Sequence, residues 1–446
     1  MKPFFLISAL TLFIFSCSKE EKEQYVTIAG KVQNAQSDSV IIMGNTMRKA
    51  IALHDGEFLD TLKINESGYF QFFGGKERTQ IFLNPGDSLH ILVDTKQFDE
   101  SLQYGGTSAE ENNYLAQKYL KEEAVLSDPK ALYTLMPVQF KSKLDELKAE
   151  FEHDLEVAKV KANFKELQKK NIQYDYLVSL DQYPQYYNYF TGEKAELPVD
   201  FAKGLEEIDL NNEKEFLEVP SYKDLVMQKT MVKIDDAKDV EEVENIVSGI
   251  QSQKIKDEIL KGLYYEISTS NPDAEKINDI IQKYGKDEKL LKRSEEKIAA
   301  VKNLLPGNTS PKFAYKDINN KEIKLDDLKG KLIYIDVWAT WCGPCLQEIP
   351  SLKKLEADYH GKNVEFVSIS IDTKKDFEKW QKMVKDKSLK GIQLFADNDW
   401  KSDFVKAYAI DAIPRFLLID QNGNIISADA PRPSDPEIRT LIEEKI

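Results

Sequence analysis

The stretch Leu332-Ile333-Tyr334-Ile335-Asp336-Val337-Trp338-Ala339-Thr340-Trp341-Cys342-Gly343-Pro344-Cys345 decides how this chain is read. It opens with a short apolar and aromatic run carrying one carboxylate, the pattern of a strand covered on both faces. After Cys345, apolar residues recur at Leu346, Ile349, Leu352 and Leu355, three and four apart, which predicts a helix. Two cysteines separated by two residues therefore sit where a buried strand hands over to a helix. That is the setting of a redox dithiol. A crosslink across so short a loop removes little chain entropy, so stapling is a poor use for it.

Working outward, Val364 to Ile371 reads as another buried strand, and Asp376 to Val384 and Ser402 to Tyr408 as helices. Arg415 to Asp420 and Ile425 to Ala428 flank Gln421-Asn422-Gly423-Asn424, a hairpin with an Asn-Gly turn. Pro436 to Ile446 closes the chain as a helix. Only one further cysteine exists, Cys17, so there is no disulfide framework. A structural zinc site at the pair would need two more ligands, and His54, His90, His153 and His360 are scattered without ligand spacing. No metal and no cofactor is implied.

The segment from Asp336 to Cys345 resembles the active site of the thioredoxin superfamily. Asp336-Val337-Trp338-Ala339-Thr340-Trp341 before the motif, Glu348-Ile349-Pro350 after it, and Gly307-Asn308-Thr309-Ser310-Pro311-Lys312-Phe313 further upstream are similar to the TlpA/ResA-like branch. The resemblance covers about the last third of the chain and implies a C-terminal α/β thioredoxin fold over 305–446. It implies catalytic roles for Cys342, Cys345 and Asp336, with Trp341, Gly343, Pro344, Ile413 and Pro414 supporting the site. Cys342, at a helix N-terminus, is favoured as thiolate and attacks; Cys345, one turn further in and less exposed, resolves. Asp336 relays a proton for Cys345, burial raising its pKa; the competing reading is a strand-end carboxylate bonded to a turn. Ile413-Pro414 is expected in cis, against the active site. Arg415 follows it where relatives often carry threonine. Glu348 reads as a helix-surface carboxylate, and Pro350 as a kink in the active-site helix.

At the other end, Lys2 and the apolar run Phe4 to Phe15 have the length of a signal sequence and fall short of a bilayer span. Ile14-Phe15-Ser16-Cys17 resembles a lipobox, with Phe15 bulkier than usual. That implies removal of residues 1–16 and lipidation of Cys17. An ordinary secretory peptide with a chance cysteine is the competing reading. Residues 17–24 form a charged tether whose acidic residues resemble a surface-export signal.

Between the two ends, residues 25–107 alternate apolar and polar side chains and are punctuated by turns such as Asn84-Pro85-Gly86-Asp87-Ser88. They predict an antiparallel β-sandwich-like domain and resemble the β-rich domain of unknown function that precedes thioredoxin domains in such lipoproteins. Residues 108–304 predict a helical middle region, with Leu144, Leu147, Phe151 and Leu155 as one apolar stripe. Pro137, Pro184, Pro198, Pro220 and Pro272 mark breaks. Tyr174, Tyr176, Tyr183, Tyr186, Tyr187 and Tyr189 crowd one stretch, as interhelical packing or as a binding surface. Leu305 to Pro311 reads as a linker.

The whole is thus a multidomain chain of 446 residues with net charge −15. So acidic a protein repels phosphate backbones, which excludes nucleic acid as a partner. The resemblance implies an extracytoplasmic thiol–disulfide oxidoreductase, lipid-anchored in the cell envelope and facing the periplasm or cell surface. Its implied partners are disulfide-containing envelope proteins and a membrane electron donor of DsbD type. Gly343-Pro344 points to reduction; oxidase or isomerase activity, and a binding lipoprotein with an auxiliary redox domain, stay open.

Overall fold

The computed structural model describes residues 25–44 and 47–446. The stretches expected to be a signal sequence and a tether, with Cys17 between them, lie outside the described residues. The chain divides into two compact units at Val226/Met227, so the helical stretch 108–304 is shared between them.

Among the described residues the first unit opens with eight strands: β1 Tyr25–Gln33, β2 Ser39–Met43, β3 Arg48–Ala52, β4 Glu57–Lys63, β5 Gly68–Gly74, β6 Glu77–Leu83, β7 Ser88–Asp94 and β8 Gln103–Gly105. They make two four-stranded sheets, ordered β4-β1-β7-β8 and β3-β2-β5-β6. Alternate residues of both sheets, among them Ile28, Ile42, Phe72 and Ile91, share one core. The expected sandwich is present, with one departure from antiparallel pairing: β1 runs parallel to β7. Strands β2 to β6 intervene between them and supply the crossover length that a parallel pair requires.

Helices follow at Ala109–Leu126, Pro137–Val157 and Ala162–Thr191. Phe82 of β6 packs among Tyr114, Phe151 and Phe164 of these helices. Asn112 accepts the Phe82 N–H at 2.7 Å and donates to the Phe82 carbonyl at 2.9 Å, satisfying that edge as a paired strand would. Pro137 and Pro220 stand at the first position of helices, where a missing N–H is harmless. Pro184 breaks nothing: the helix Ala162–Thr191 runs through it. Its neighbour Tyr183 is fully buried against Phe140 and Phe201, and that packing outweighs one lost backbone bond.

The second unit carries helices Val240–Gly249, Gln253–Leu263, Ala274–Tyr284 and Glu288–Asn303, then a mixed sheet. Its strands are β9 Ala314–Asp317, β10 Glu322–Lys324, β11 Leu332–Trp338, β12 Val364–Ser370, β13 Ile392–Phe395, β14 Arg415–Ile419 and β15 Ile425–Ser427, in the order β10-β9-β13-β12-β11-β14-β15. β11 lies inside the sheet, parallel to β12 and antiparallel to β14, and all seven of its residues are buried. Ile333, Ile335 and Val337 face one core; Leu332 and Tyr334 face the other, under Leu352 and Leu355 of the helix Gly343–Asp358. The predicted linker is a docked segment. Gly307 N–H donates to Ile425 O at 2.8 Å, Ile425 N–H to Asn308 O at 2.8 Å, and Ser310 N–H to Gly423 O at 3.0 Å. Leu304 is buried in the core of the sheet, which is why the segment cannot swing free. No helix among the described residues is long and apolar enough to cross a membrane.

Candidate active site

The loop after β11 is held by a side chain the sequence did not single out. Asp372, fully buried just beyond β12, accepts the Thr340 N–H at 2.9 Å and the Thr340 hydroxyl at 2.8 Å. The Ser370 hydroxyl donates to the same carboxylate at 2.7 Å. Three bonds to one buried acceptor fix the path into Trp341 and Cys342.

Cys342 is the N-cap of the helix Gly343–Asp358, with Pro344 in its first turn. The Cys345 N–H points at Cys342 Sγ, 3.2 Å away. This is the backbone donor that a thiolate there would use. The two cysteines are joined as a disulfide. The expected difference in exposure is absent: each is 4% exposed. With the bond closed, the rim is made instead by the exposed Trp341, Gly343 and Pro344. Trp341 lies 6.4 Å from Trp400, ring to ring.

Across the site, Ile413-Pro414 is cis, as expected. The Ile413 carbonyl oxygen lies 3.8 Å from Cys342 Sγ. Arg415, at the start of β14, pairs with Asp429 at 3.0 Å, so its charge is already engaged beside the site.

Asp336 lies on β11 opposite Ser368 of β12. It lines a narrow cleft with Trp338, Lys353, Glu356, Ser368 and Lys390. Burial, helped by the charges of Glu356 and Glu348, pushes its pKa up to about 8, against a Ser368 hydrogen bond that lowers it. A carboxyl held near 8 is protonated over much of the neutral range. Glu356, on the active-site helix, is itself pushed up to about 7 by burial, with Lys390 and Lys353 opposing. Sequence reasoning missed it; its position eleven residues after Cys345 carries no local signal. Glu348 is no free surface group. It accepts from the Ser434 N–H at 3.1 Å and hydroxyl at 2.8 Å, tying the chain's last loop to the helix. The helix continues through Pro350 to Asp358.

The family model for Redoxin matches residues 305–442. The C-terminal domain is a thioredoxin-family redoxin domain. Thiol-disulfide oxidoreductase ResA of Bacillus cereus is 32% identical over 120 residues, covering 27% of this chain and 66% of that one. The chain thus spans 66% of the length of that relative. ResA of Bacillus subtilis (strain 168) is 27% identical over 129 residues, 29% of this chain and 69% of that one. A Bacteroides vulgatus protein of known solution structure, assigned as a thiol-disulfide oxidoreductase, is 53% identical, covering 31% of this chain and 89% of that chain, with a TM-score of 0.28. Each of these relatives covers less than a third of the chain.

Proposed function

We propose that this protein is an extracytoplasmic reductase of protein disulfides, acting through Cys342 and Cys345. The observation that carries the reading is the position of Cys342 Sγ. It caps a helix, faces the Cys345 N–H at 3.2 Å, and lies 3.8 Å from the Ile413 carbonyl. The first contact stabilises sulfur as an anion. The second puts a backbone acceptor where the N–H of an extended substrate can pair beside the sulfur under attack.

In the reduced enzyme, the Cys342 thiolate attacks one sulfur of the substrate disulfide and releases the other as a thiolate. A mixed disulfide forms. The Cys345 thiol then gives up its proton and attacks Cys342 Sγ, closing the Cys342–Cys345 bond and releasing the second substrate sulfur. Two electrons pass from the enzyme pair to the substrate, which leaves as a dithiol. In this reading the ionised fraction of Asp336 takes the Cys345 proton, a fraction that grows as pH rises towards its pKa of about 8. An electron donor of DsbD type, at the membrane, returns the pair to the dithiol. Lipidation at Cys17 would hold the protein there, and its substrates would be envelope proteins; the signal-like run before Cys17 supports this placement.

The test is the reduction potential of the pair, measured by equilibration against a thiol–disulfide buffer. A value near or below about −270 mV supports reduction, whereas one approaching about −120 mV makes the protein a disulfide donor. Cys342→Ser should abolish turnover of a model disulfide, and unchanged turnover would sink the assignment.

A further inference from the structure

The loop Asp411–Arg415, which faces Cys342, is gripped on both sides by the helical segment of its own unit. On its N-terminal side, Lys297 of the helix Glu288–Asn303 donates to Asp411 Oδ2 at 2.7 Å and to the Tyr264 carbonyl at 3.1 Å. The same ammonium lies 4.3 Å from the Tyr264 ring centroid and 5.6 Å from that of Tyr265. On the C-terminal side, Arg415 pairs with Asp429, and the Ser270 hydroxyl donates to the other oxygen of Asp429 at 3.1 Å.

The Lys297 side chain is 6% exposed. Burying an ammonium is costly, and an apolar residue of the same length would pack two elements together more cheaply. A buried ion pair does one thing an apolar contact does not: it fixes where its partner sits. Here the partner is Asp411, two residues before the carbonyl that faces Cys342 Sγ. The surface continues outward over Tyr265, which is 59% exposed, and over the exposed Arg293, stacked at 4.5 Å on Tyr264. An exposed tyrosine near a guanidinium is suited to contact with a polypeptide chain, while the buried Tyr264 anchors both from below.

We propose that the segment from Tyr264 to Lys297 is part of the substrate site of the redoxin domain. Lys297 and Ser270 are positioning residues that hold the Asp411–Arg415 loop against Cys342, and Tyr265 extends the contact surface for a protein substrate. This rests on the reading of the pair as a protein-disulfide reductase. A small disulfide engages little beyond Cys342 itself, so the segment matters for protein substrates first.

The experiment compares full-length wild type, Lys297→Met, Lys297→Arg and Ser270→Ala in the reduction of insulin and of a small aromatic disulfide. Lys297→Met is expected to raise KM for insulin by about five- to tenfold with kcat within about twofold, the pattern of lost binding. Lys297→Arg, which keeps the ion pair, is expected to recover most of that rise. The loss on the small disulfide is expected to be clearly the smaller. Ser270→Ala, at an exposed hydroxyl, is expected to raise KM for insulin by about two- to threefold and serves where Lys297→Met does not fold. Folded variants with an unchanged KM, or with equal losses on both substrates, overturn the inference alone. A wild type that turns over the small disulfide but not insulin overturns the protein-substrate reading and this inference with it.

Discussion

Asp336 and Glu356 line one cleft beneath the active-site helix, and the charge of Glu356 adds to the burial that raises the Asp336 pKa. The pair sits on the face of β11 away from the Ile333, Ile335 and Val337 core. An acid at this place costs stability at neutral pH, and that cost has a sign that can be measured.

Asp336 is raised to about 8 in the folded protein. In the unfolded chain an aspartate titrates near 3.9. Between these values the folded protein holds the extra proton, so its stability falls as pH rises from about 4 to about 8. Asp336→Asn, which mimics the protonated acid, is expected to be more stable than wild type by about 4 kcal/mol at pH 7 and about equal to it at pH 4. Urea unfolding followed by tryptophan fluorescence reads this directly. All four tryptophans, Trp338, Trp341, Trp380 and Trp400, lie in the redoxin domain. A variant equally stable at both pH values would mean that Asp336 is not a buried acid.

Glu356→Gln tests the coupling. Removing the charge leaves burial, the larger cause, in place. The Asp336 titration is therefore expected to fall by about half a unit to one unit while staying well above the ordinary carboxylate range. The midpoint is observable in the pH dependence of the second step, release of substrate from the mixed disulfide. If the midpoint is the same in both proteins, the two carboxyls do not communicate.

Asp372→Ala removes one buried acceptor and strands three donors: the Thr340 N–H, the Thr340 hydroxyl and the Ser370 hydroxyl. Each unsatisfied buried donor costs about 1–3 kcal/mol. A loss of about 3–5 kcal/mol is expected in the same tryptophan-monitored unfolding, and Asp372→Asn, which keeps one acceptor oxygen, should lose less. A cost below about 1 kcal/mol would show that the loop before Trp341 is held by something else.

The reach of sequence reasoning follows the range of the interactions involved. The β11 strand, the helix behind Cys345 and the Asn-Gly hairpin are written in local patterns and were legible. So was the dithiol, because two residues of spacing and a helix start are enough to define it. Asp372 and Glu356 were not legible. One holds Thr340 from 32 residues away, the other joins Asp336 across a cleft, and a lone carboxylate carries no periodicity. Strands as short as β9, β10 and β13 have too few residues to show alternation. The parallel pairing of β1 with β7 depends on the path of everything between them. Pro184 misled because its cost is local, while the packing of Tyr183 that overrides it is tertiary.

The tyrosine-rich stretch gives a last comparison, since packing accounts for most of it. Tyr174 donates to Glu215 and Tyr176 to Asp145, and Tyr187 is buried. Tyr183 donates to the Leu135 carbonyl at 2.7 Å, with Phe140 at 4.4 Å and Phe201 at 5.3 Å. Tyr183→Ala opens a cavity among these rings and is expected to cost about 3–5 kcal/mol. Tyr189 is 77% exposed, so Tyr189→Ser is expected to change stability by no more than about 0.5 kcal/mol. Because the first unit contains no tryptophan, far-ultraviolet circular dichroism is the right probe. Near-equal losses in the two variants would contradict the packing reading. A neutral Tyr189→Ser that also abolished a cellular phenotype would instead revive the stretch as a binding surface, since its effect could not then come through the core.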